Sequence, residues 1–156
     1  MKKSNLKQST GMVDISTKKT TNRIAVACSR LKMSAQTFKI FTEQGSPKGD
    51  CLEMAKVAGI MAAKSTASII PLCHPLILSK VQVWFELDLK NSSVIIFVEV
   101  RCLGQTGVEM EALTAAAIAS LTIYDMMKWA DKTMTIDDLK LLKKTGGKSG
   151  NFERKR

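Results

Sequence analysis

Residues 78–103 read LSKVQVWFELDLKNSSVIIFVEVRCL. Val81, Val83, Phe85 and Leu87 alternate with other side chains and fall on one side of an extended chain, which predicts a strand over 78–89. Lys90, Asn91 and Ser92 break the run as a turn, and residues 94–103 return as its antiparallel partner. This hairpin decides the fold class, because the segments around it read differently.

Directly after it, TGVEMEALTAAAIASLTIYDMMKWADK (106–132) predicts a long helix rich in Ala, Leu and Met. Thr106 and Glu109 have capping-box spacing at its start. Before the hairpin, SAQTFKIFTEQG (34–45) predicts a short helix with Ser34 as cap and Gly45 as stop. SPKGD opens a further helix, with Ser46 as the expected cap, Pro47 in the first turn and Asp50 three residues after the cap. Leu52, Met54, Ala55, Ala58, Gly59, Ala62 and Ala63 form its apolar series, and it is expected to end near Ile70, before Pro71. Residues 23–33 and 134–142 read as the first and last strands. The order strand, helix, helix, strand, strand, helix, strand predicts an α+β fold, a four-stranded, mostly antiparallel sheet with helices packed on one face. Residues 1–12 read as a flexible segment, 13–143 as one domain, and 144–156 as a basic, Gly-rich tail.

The net charge is +10, and it is uneven. Residues 1–50 carry 10 basic and 3 acidic side chains, residues 51–127 carry 5 and 7, and residues 128–156 carry 9 and 4. Basic ends around a mildly acidic middle suit an anionic partner. MKKSNLKQST is not followed by an apolar segment of the signal-peptide kind, and no run of about 18 apolar residues spans a membrane. Cys28, Cys51, Cys73 and Cys102 lack zinc-type spacing, so reduced thiols and a cytoplasmic setting are expected.

The only histidine, His74, lies in SIIPLCHPLILSK, between Pro71 and Pro75. The prolines restrict the backbone, so the imidazole is positioned before any ligand arrives. A fixed imidazole donates to phosphate or shuttles protons near neutral pH. Cys73 has no second histidine to activate it and reads as inert packing. Asp125 and Lys128 are three apart on the long helix and share a face amid Leu121, Ile123, Tyr124, Met126, Met127 and Trp129. Such surroundings predict a partly desolvated acid/base couple. Glu109 is explained by capping; Glu111 is not. Glu111 and Asp125 return to nearly the same face, but a continuous helix separates them by roughly 21 Å. Both therefore serve one reaction only on a long ligand or in a pocket shared by two copies of the chain. Lys48, placed in the first helical turn, Lys64 late on the same helix, and Lys148 in TGGKSG complete a set of candidate anion ligands.

The strings KGD (48–50), AGIMAAKST, IIPLCHPLILSKV, TGVEMEALTAAAIASLTIYDM and GGKSG resemble the cyclic pyranopterin monophosphate synthase family, the C accessory protein of molybdenum-cofactor biosynthesis. The resemblance runs from about Met12 to Phe152. It implies a ferredoxin-like α+β domain in a homohexamer of three dimers, with sites at the dimer interface. The implied substrate is the nucleotide triphosphate 3′,8-cyclo-7,8-dihydroguanosine 5′-triphosphate, converted to a cyclic pyranopterin phosphate with release of pyrophosphate. No redox cofactor and no metal are implied. By the same resemblance Asp125 and Lys128 form the acid/base centre, and Lys48, Lys64 and His74 hold the triphosphate or assist proton transfer. Leu72, Cys73, Glu109, Met110 and Glu111 line the substrate pocket, and Lys148 reaches in from the tail. Leu103 and Gln105 stand where the resemblance leads one to expect threonine and lysine, which predicts one weakened phosphate contact. A nucleic-acid-binding module, the alternative for a +10 chain, lacks a stacking platform because only 5% of the residues are aromatic. No nucleic acid or membrane partner is therefore expected.

Overall fold

The computed structural model describes residues 10–148 and 150–155; the loose segment expected over 1–12 falls mostly outside them. The elements follow in the order β1 (Thr21–Lys32), α1 (Ala35–Glu43), α2 (Cys51–Lys64), α3 (Thr66–Ile69), β2 (Leu78–Asp88), β3 (Ser93–Gly104), α4 (Glu109–Met127), β4 (Thr135–Thr145) and β5 (Phe152–Glu153). The strands form one sheet in the order β2-β3-β1-β4-β5, and every pairing is antiparallel. The sheet thus has five strands, where four were expected. The fifth lies in the tail, where Phe152 and Glu153 pair with Lys144 and Lys143, and the Arg154 N–H donates to the Leu142 carbonyl at 2.7 Å.

The core lies between the sheet and the helices. Small residues decide how closely these layers approach. On β1, Ala25, Ala27, Ser29 and Leu31 are fully buried, and on α4 so are Ala112, Ala115, Ala116, Ala119 and Ile123. Their α4 positions recur at three- and four-residue intervals, which turns one continuous stripe inward. Short side chains let α4 lie against α2 as well. Gly59 on α2 is the closest point: a Cβ there would sit 3.2 Å from Val83 Cγ2 and 3.3 Å from the Ala115 carbonyl oxygen. Ile123 and Met127 supply larger apolar surface, each stabilising by about 1.5–3 kcal/mol through burial. Between the layers, the Ser120 hydroxyl donates to Ser29 Oγ at 2.9 Å, so the buried polar pair is satisfied.

Four local expectations need correction. α2 begins at Cys51, not in the Ser46 turn, and Asp50 is its cap: Oδ1 accepts from Leu52 N at 2.9 Å and Glu53 N at 3.0 Å. Ser46 is engaged elsewhere, donating to the Met126 carbonyl at 2.7 Å. The helical stretch expected to reach Ile70 is broken after Lys64, and α3 resumes for four residues. No side chain caps α4, so the Thr106–Glu109 capping box does not form. Leu87 was expected to face inward with Val81, Val83 and Phe85. It is 44% exposed and lines an open cleft with Phe41 of α1 and Leu52 of α2.

Candidate active site

Two groups of the expected residues gather at opposite ends of α4. At its N-terminal end, the chain leaves α3 and turns through Pro71–Pro75 before entering β2. The Cys73 N–H donates to the Ile70 carbonyl at 3.1 Å and closes the first part of this corner. Leu72, Cys73 and His74 then face Glu109, Met110 and Glu111 across a cleft of about 200 Å³. The two motifs, some 35 residues apart in sequence, meet here because β2 and β3 are a hairpin whose open end lies beside the start of α4.

Glu111 is the most deeply buried carboxylate among the described residues, at 4% exposure. Burial is the main cause that raises its pKa; its own backbone N–H opposes the shift, and the Glu109 charge adds to it. Burial, then Glu111, also pushes the Cys73 thiol up, which agrees with a packing role rather than a nucleophile. Glu109 bends back over Gly107, where a Cβ would lie 1.8 Å from its Oε2. Only a glycine accommodates that fold-back. The carboxylate then meets Lys144 Nζ at 3.2 Å.

Lys144 and Arg23 were not singled out in the sequence. Both belong to strands, and strand pairing brings them here: Lys144 pairs with Ala25 on β1, and Arg23 pairs with Cys102 on β3. Lys144, Arg23, Lys18 and Lys148 border a cleft of about 300 Å³ that shares Thr106, Gly107 and Glu109 with the His74 cleft. The serine of TGGKSG, Ser149, lies outside the described residues. Gln105 makes use of its amide: Nε2 donates to the Lys18 carbonyl at 3.0 Å and to the Ser16 carbonyl at 3.4 Å. Lys64 is exposed at the end of α2 and borders a separate cleft of about 270 Å³, which touches the His74 cleft through Leu76.

The second group sits at the C-terminal end of α4. Lys48 Nζ lies 2.7 Å from Asp125 Oδ2, and Lys128 Nζ lies 2.7 Å from Asp125 Oδ1. Lys48 also donates to the Asp125 carbonyl at 3.3 Å. The Ser46–Gly49 turn aims Lys48 at α4. Ser46 ties the turn to Met126, the Lys48 N–H donates to Ser46 Oγ at 3.1 Å, and Gly49 supplies φ +110°. Lys48 is therefore placed by a turn before α2, not by the first helical turn as expected, and the freed N–H groups there belong to Asp50.

The expected desolvation of Asp125 is not found within the chain, where its side chain is 53% exposed. Its apolar neighbours Ile123, Met126 and Met127 point into the core from other faces of the helix. Hydrogen bonds from Lys128, then from Lys48, hold the Asp125 carboxyl down to about 2. The same bond raises Lys128. Asp125 thus stays a carboxylate and Lys128 an ammonium across the neutral range.

α4 is unbroken from Glu109 to Met127, so Glu111 and Asp125 are separated by about 21 Å along its axis. Within one chain the His74–Glu111 cleft and the Lys48–Asp125–Lys128 group do not meet.

Comparisons with known proteins agree on one family. The model of the MoaC family matches residues 12–147. The chain is similar to the cyclic pyranopterin monophosphate synthase of Parvibaculum lavamentivorans, 52% identical over 144 residues, covering 92% of this chain and 90% of that protein. It is 54% identical to the protein of that name from Desulfatibacillum aliphaticivorans over 141 residues (90% and 89%). It is also 54% identical to that from Chloroflexus aggregans over 143 residues (92% and 87%).

Proposed function

Because this chain belongs to the MoaC family, we propose that it is a cyclic pyranopterin monophosphate synthase. In this reading it is a phosphorus–oxygen lyase that converts 3′,8-cyclo-7,8-dihydroguanosine 5′-triphosphate to cyclic pyranopterin monophosphate and pyrophosphate. The observation that carries it is the alignment over nine-tenths of the chain with relatives of that name. The geometry supplies fitting chemistry. The two kinds of carboxylate have pKa values pushed apart by their surroundings, which is how acid and base roles are divided at one pH.

At the first centre, Asp125 and Lys128 are the acid/base pair and Lys48 their companion. While both ammonium groups hold it, Asp125 is a weak base. An arriving phosphate competes for Lys48 and Lys128, and the carboxyl pKa climbs toward its ordinary value. Substrate binding thereby activates the base. Released onto phosphate oxygens, the two lysines stabilise the charge that develops as the cyclic phosphate closes. At the second centre, Glu111, with its pKa raised by burial, exchanges a proton with the ligand, and His74 and Lys64 hold phosphate oxygens or assist proton transfer. Leu72, Cys73, Glu109 and Met110 line the pocket for the purine-derived ring, and Lys148 enters from the tail.

A second copy of the chain joins the two centres, in a homohexamer of three dimers acting in the cytoplasm. The 21 Å separation within α4 motivates this arrangement. The fold reading is ferredoxin-like over residues 13–143. The βαββαβ order of β1 to β4, with α1–α3 as the first crossover and α4 as the second, supports it, with the tail of 144–156 adding β5.

The experiment is an assay of pyrophosphate release from the purified protein and the cyclic dihydro-GTP substrate. Release well above that of an Asp125→Ala control is expected; equal release refutes the reading. The shared site has its own test. His74→Ala and Asp125→Ala proteins, each inactive, are mixed under exchange conditions. Random pairing restores roughly a quarter of wild-type activity if each site draws on two chains, and none if it draws on one.

A further inference from the structure

The last carbonyls of a helix have no donor within it, and the negative end of the helix dipole lies among them. At the end of α4 the residues that follow supply part of what is missing. The Lys128 N–H donates to the Tyr124 carbonyl at 2.8 Å, and the Ala130 N–H to the Met127 carbonyl at 2.9 Å. The carbonyls between them, of Asp125 and Met126, are taken by another part of the chain. Lys48 Nζ donates to the first at 3.3 Å and the Ser46 hydroxyl to the second at 2.7 Å. The last turn of α4 carries no basic residue of its own. The turn before α2 therefore caps this helix and delivers Lys48 to it in one piece.

The two contacts differ in kind. The Lys48 side chain is 50% exposed and reaches across on a flexible stem. Ser46 is half-buried at the base of the turn. Its carbonyl accepts from the Gly49 N–H at 3.0 Å, which closes a β-turn with Pro47 in the second position, where the fixed φ of proline fits. Pro47 also restricts the backbone of Ser46, the residue before it. The Ser46 hydroxyl in turn accepts from the Lys48 N–H at 3.1 Å. Through one oxygen the backbone of α4 is joined to the backbone of Lys48, and neither bond uses the ammonium group or the Asp125 carboxylate.

We propose that Ser46 is the positioning residue for Lys48: its hydroxyl pins the backbone of the lysine to the C-terminal end of α4, so that the ammonium group can leave Asp125 for a bound anion while the turn stays in place. Without the pin, loss of the Lys48–Asp125 contact would release the turn as well, and the lysine would drift away at the moment a ligand needs it. With the pin, the stem swings and its root does not. Alanine at this position removes both bonds at once, the donor to the Met126 carbonyl and the acceptor for the Lys48 N–H. Threonine keeps the hydroxyl. The part of the proposal that concerns rate rests on the proposed function; the part that concerns where Lys48 sits does not.

Two readouts on the full chain test it. Acetylation of amines, followed residue by residue with mass spectrometry, reports the Lys48 pairing without any substrate, with Lys90 as internal reference. Ser46→Ala should speed labelling of Lys48 relative to Lys90 by about 2- to 10-fold, the range for one lost hydrogen bond, and Ser46→Thr should restore the wild-type ratio. The second readout is kcat/KM for pyrophosphate release. It should fall by about 10- to 100-fold in Ser46→Ala, because misplacing a reacting group by about 1 Å costs up to about 100-fold, and it should recover in Ser46→Thr. In a Lys48→Met background, Ser46→Ala should cost less than about twofold more, since no lysine is left to position. Thr42→Ala removes a neighbouring hydroxyl that donates to the Phe38 carbonyl at 3.1 Å; it is the control and should leave both readouts unchanged. Ser46→Cys, of similar bulk but with a weak donor, carries the same test should Ser46→Ala not fold, and should move both readouts in the same direction.

Unchanged Lys48 labelling in Ser46→Ala and Ser46→Cys overturns the proposal, whatever the activity. Faster labelling with unaltered turnover overturns it as well, because the placement of Lys48 then has no bearing on the reaction. A full further loss from Ser46→Ala in the Lys48→Met background does the same, since the serine is then a helix cap and nothing more. So does an equal effect of Thr42→Ala. If labelling responds as expected but the wild type releases no pyrophosphate, the pinning of Lys48 stands and the proposed function falls.

Discussion

Glu111→Gln should make the protein more stable at neutral pH and less active. The glutamate is 4% exposed, and burial raises its pKa above the ordinary 4.5. A raised folded-state pKa means that the native chain keeps its proton at pH values where the unfolded chain has lost it. The contribution to stability is therefore complete below about pH 4.5 and is lost as pH rises through the folded-state value. Glutamine has nearly the same shape and no charge to desolvate. A poorly compensated buried polar group costs about 1–3 kcal/mol. For a chain of this length each kcal/mol moves the melting temperature by about 2–4 °C. We expect an increase of about 2–12 °C at pH 8, shrinking toward zero at pH 4. Circular dichroism melts of both proteins across that range, at fixed protein concentration, provide the measurement. A melting temperature that falls at pH 8 would refute the reasoning, since it would mean that a cation of a neighbouring copy pairs with Glu111 in the assembly. Turnover should fall by about 10²–10⁴, the range for a lost acid–base group, so stability and activity should move in opposite directions.

Other expectations are more local. Since its two lysines hold the Asp125 carboxyl at about 2, Lys48→Met should raise that pKa part of the way back toward 3.8, and the acid limb of the kcat/KM profile should move upward with it. Asp125→Asn should lower kcat/KM by about 10²–10⁴ with little change in the urea midpoint, because the carboxylate is exposed in the chain. Asp131 accepts from Ser34 N at 3.1 Å and Thr133 N at 2.7 Å, tying the start of α1 to the loop before β4; Asp131→Ala should destabilise by about 2–3 kcal/mol in urea unfolding. Gly59→Val should cost about 1–3 kcal/mol, because even its Cβ would press on Val83 and Ala115.

The parts of the fold legible in the sequence were those with a strong period or a strong cap. The β2–β3 hairpin alternates, α4 carries an unbroken apolar stripe, and Ser34 caps α1 as expected, with Oγ accepting from Thr37 N at 3.1 Å. The start of α2 was misplaced because Ser46 and Asp50 are both good caps four residues apart. What separates them is tertiary: Ser46 is drawn to a carbonyl of α4. The two-residue β5 has no period to detect. Among the candidate residues, the His74 corner and the Glu109–Glu111 segment do share a cleft, and Lys48 does join Asp125 and Lys128. Which carboxylate is sheltered was not legible. Apolar neighbours in sequence suggested Asp125, but on a helix those neighbours face elsewhere, whereas the wall that covers Glu111 comes from the distant Pro71–Pro75 corner. Arg23 gave no signal either. Its burial depends on Gly104, Gln105 and Gly147 arriving from two other parts of the chain.

The unbroken course of α4 sets a mechanical rule for this molecule. It acts as a spacer whose length changes only in steps: one inserted residue would carry Asp125 about 1.5 Å farther from Glu111 and swing it about 100° around the axis. A near-whole turn would be needed to restore its heading. With Ala115 and Ala119 set against Gly59, even that turn would have to slide past a tight contact. Gradual resizing for a longer or shorter guest is therefore closed to this scaffold, and new dimensions have to come from the loops that face the helix ends.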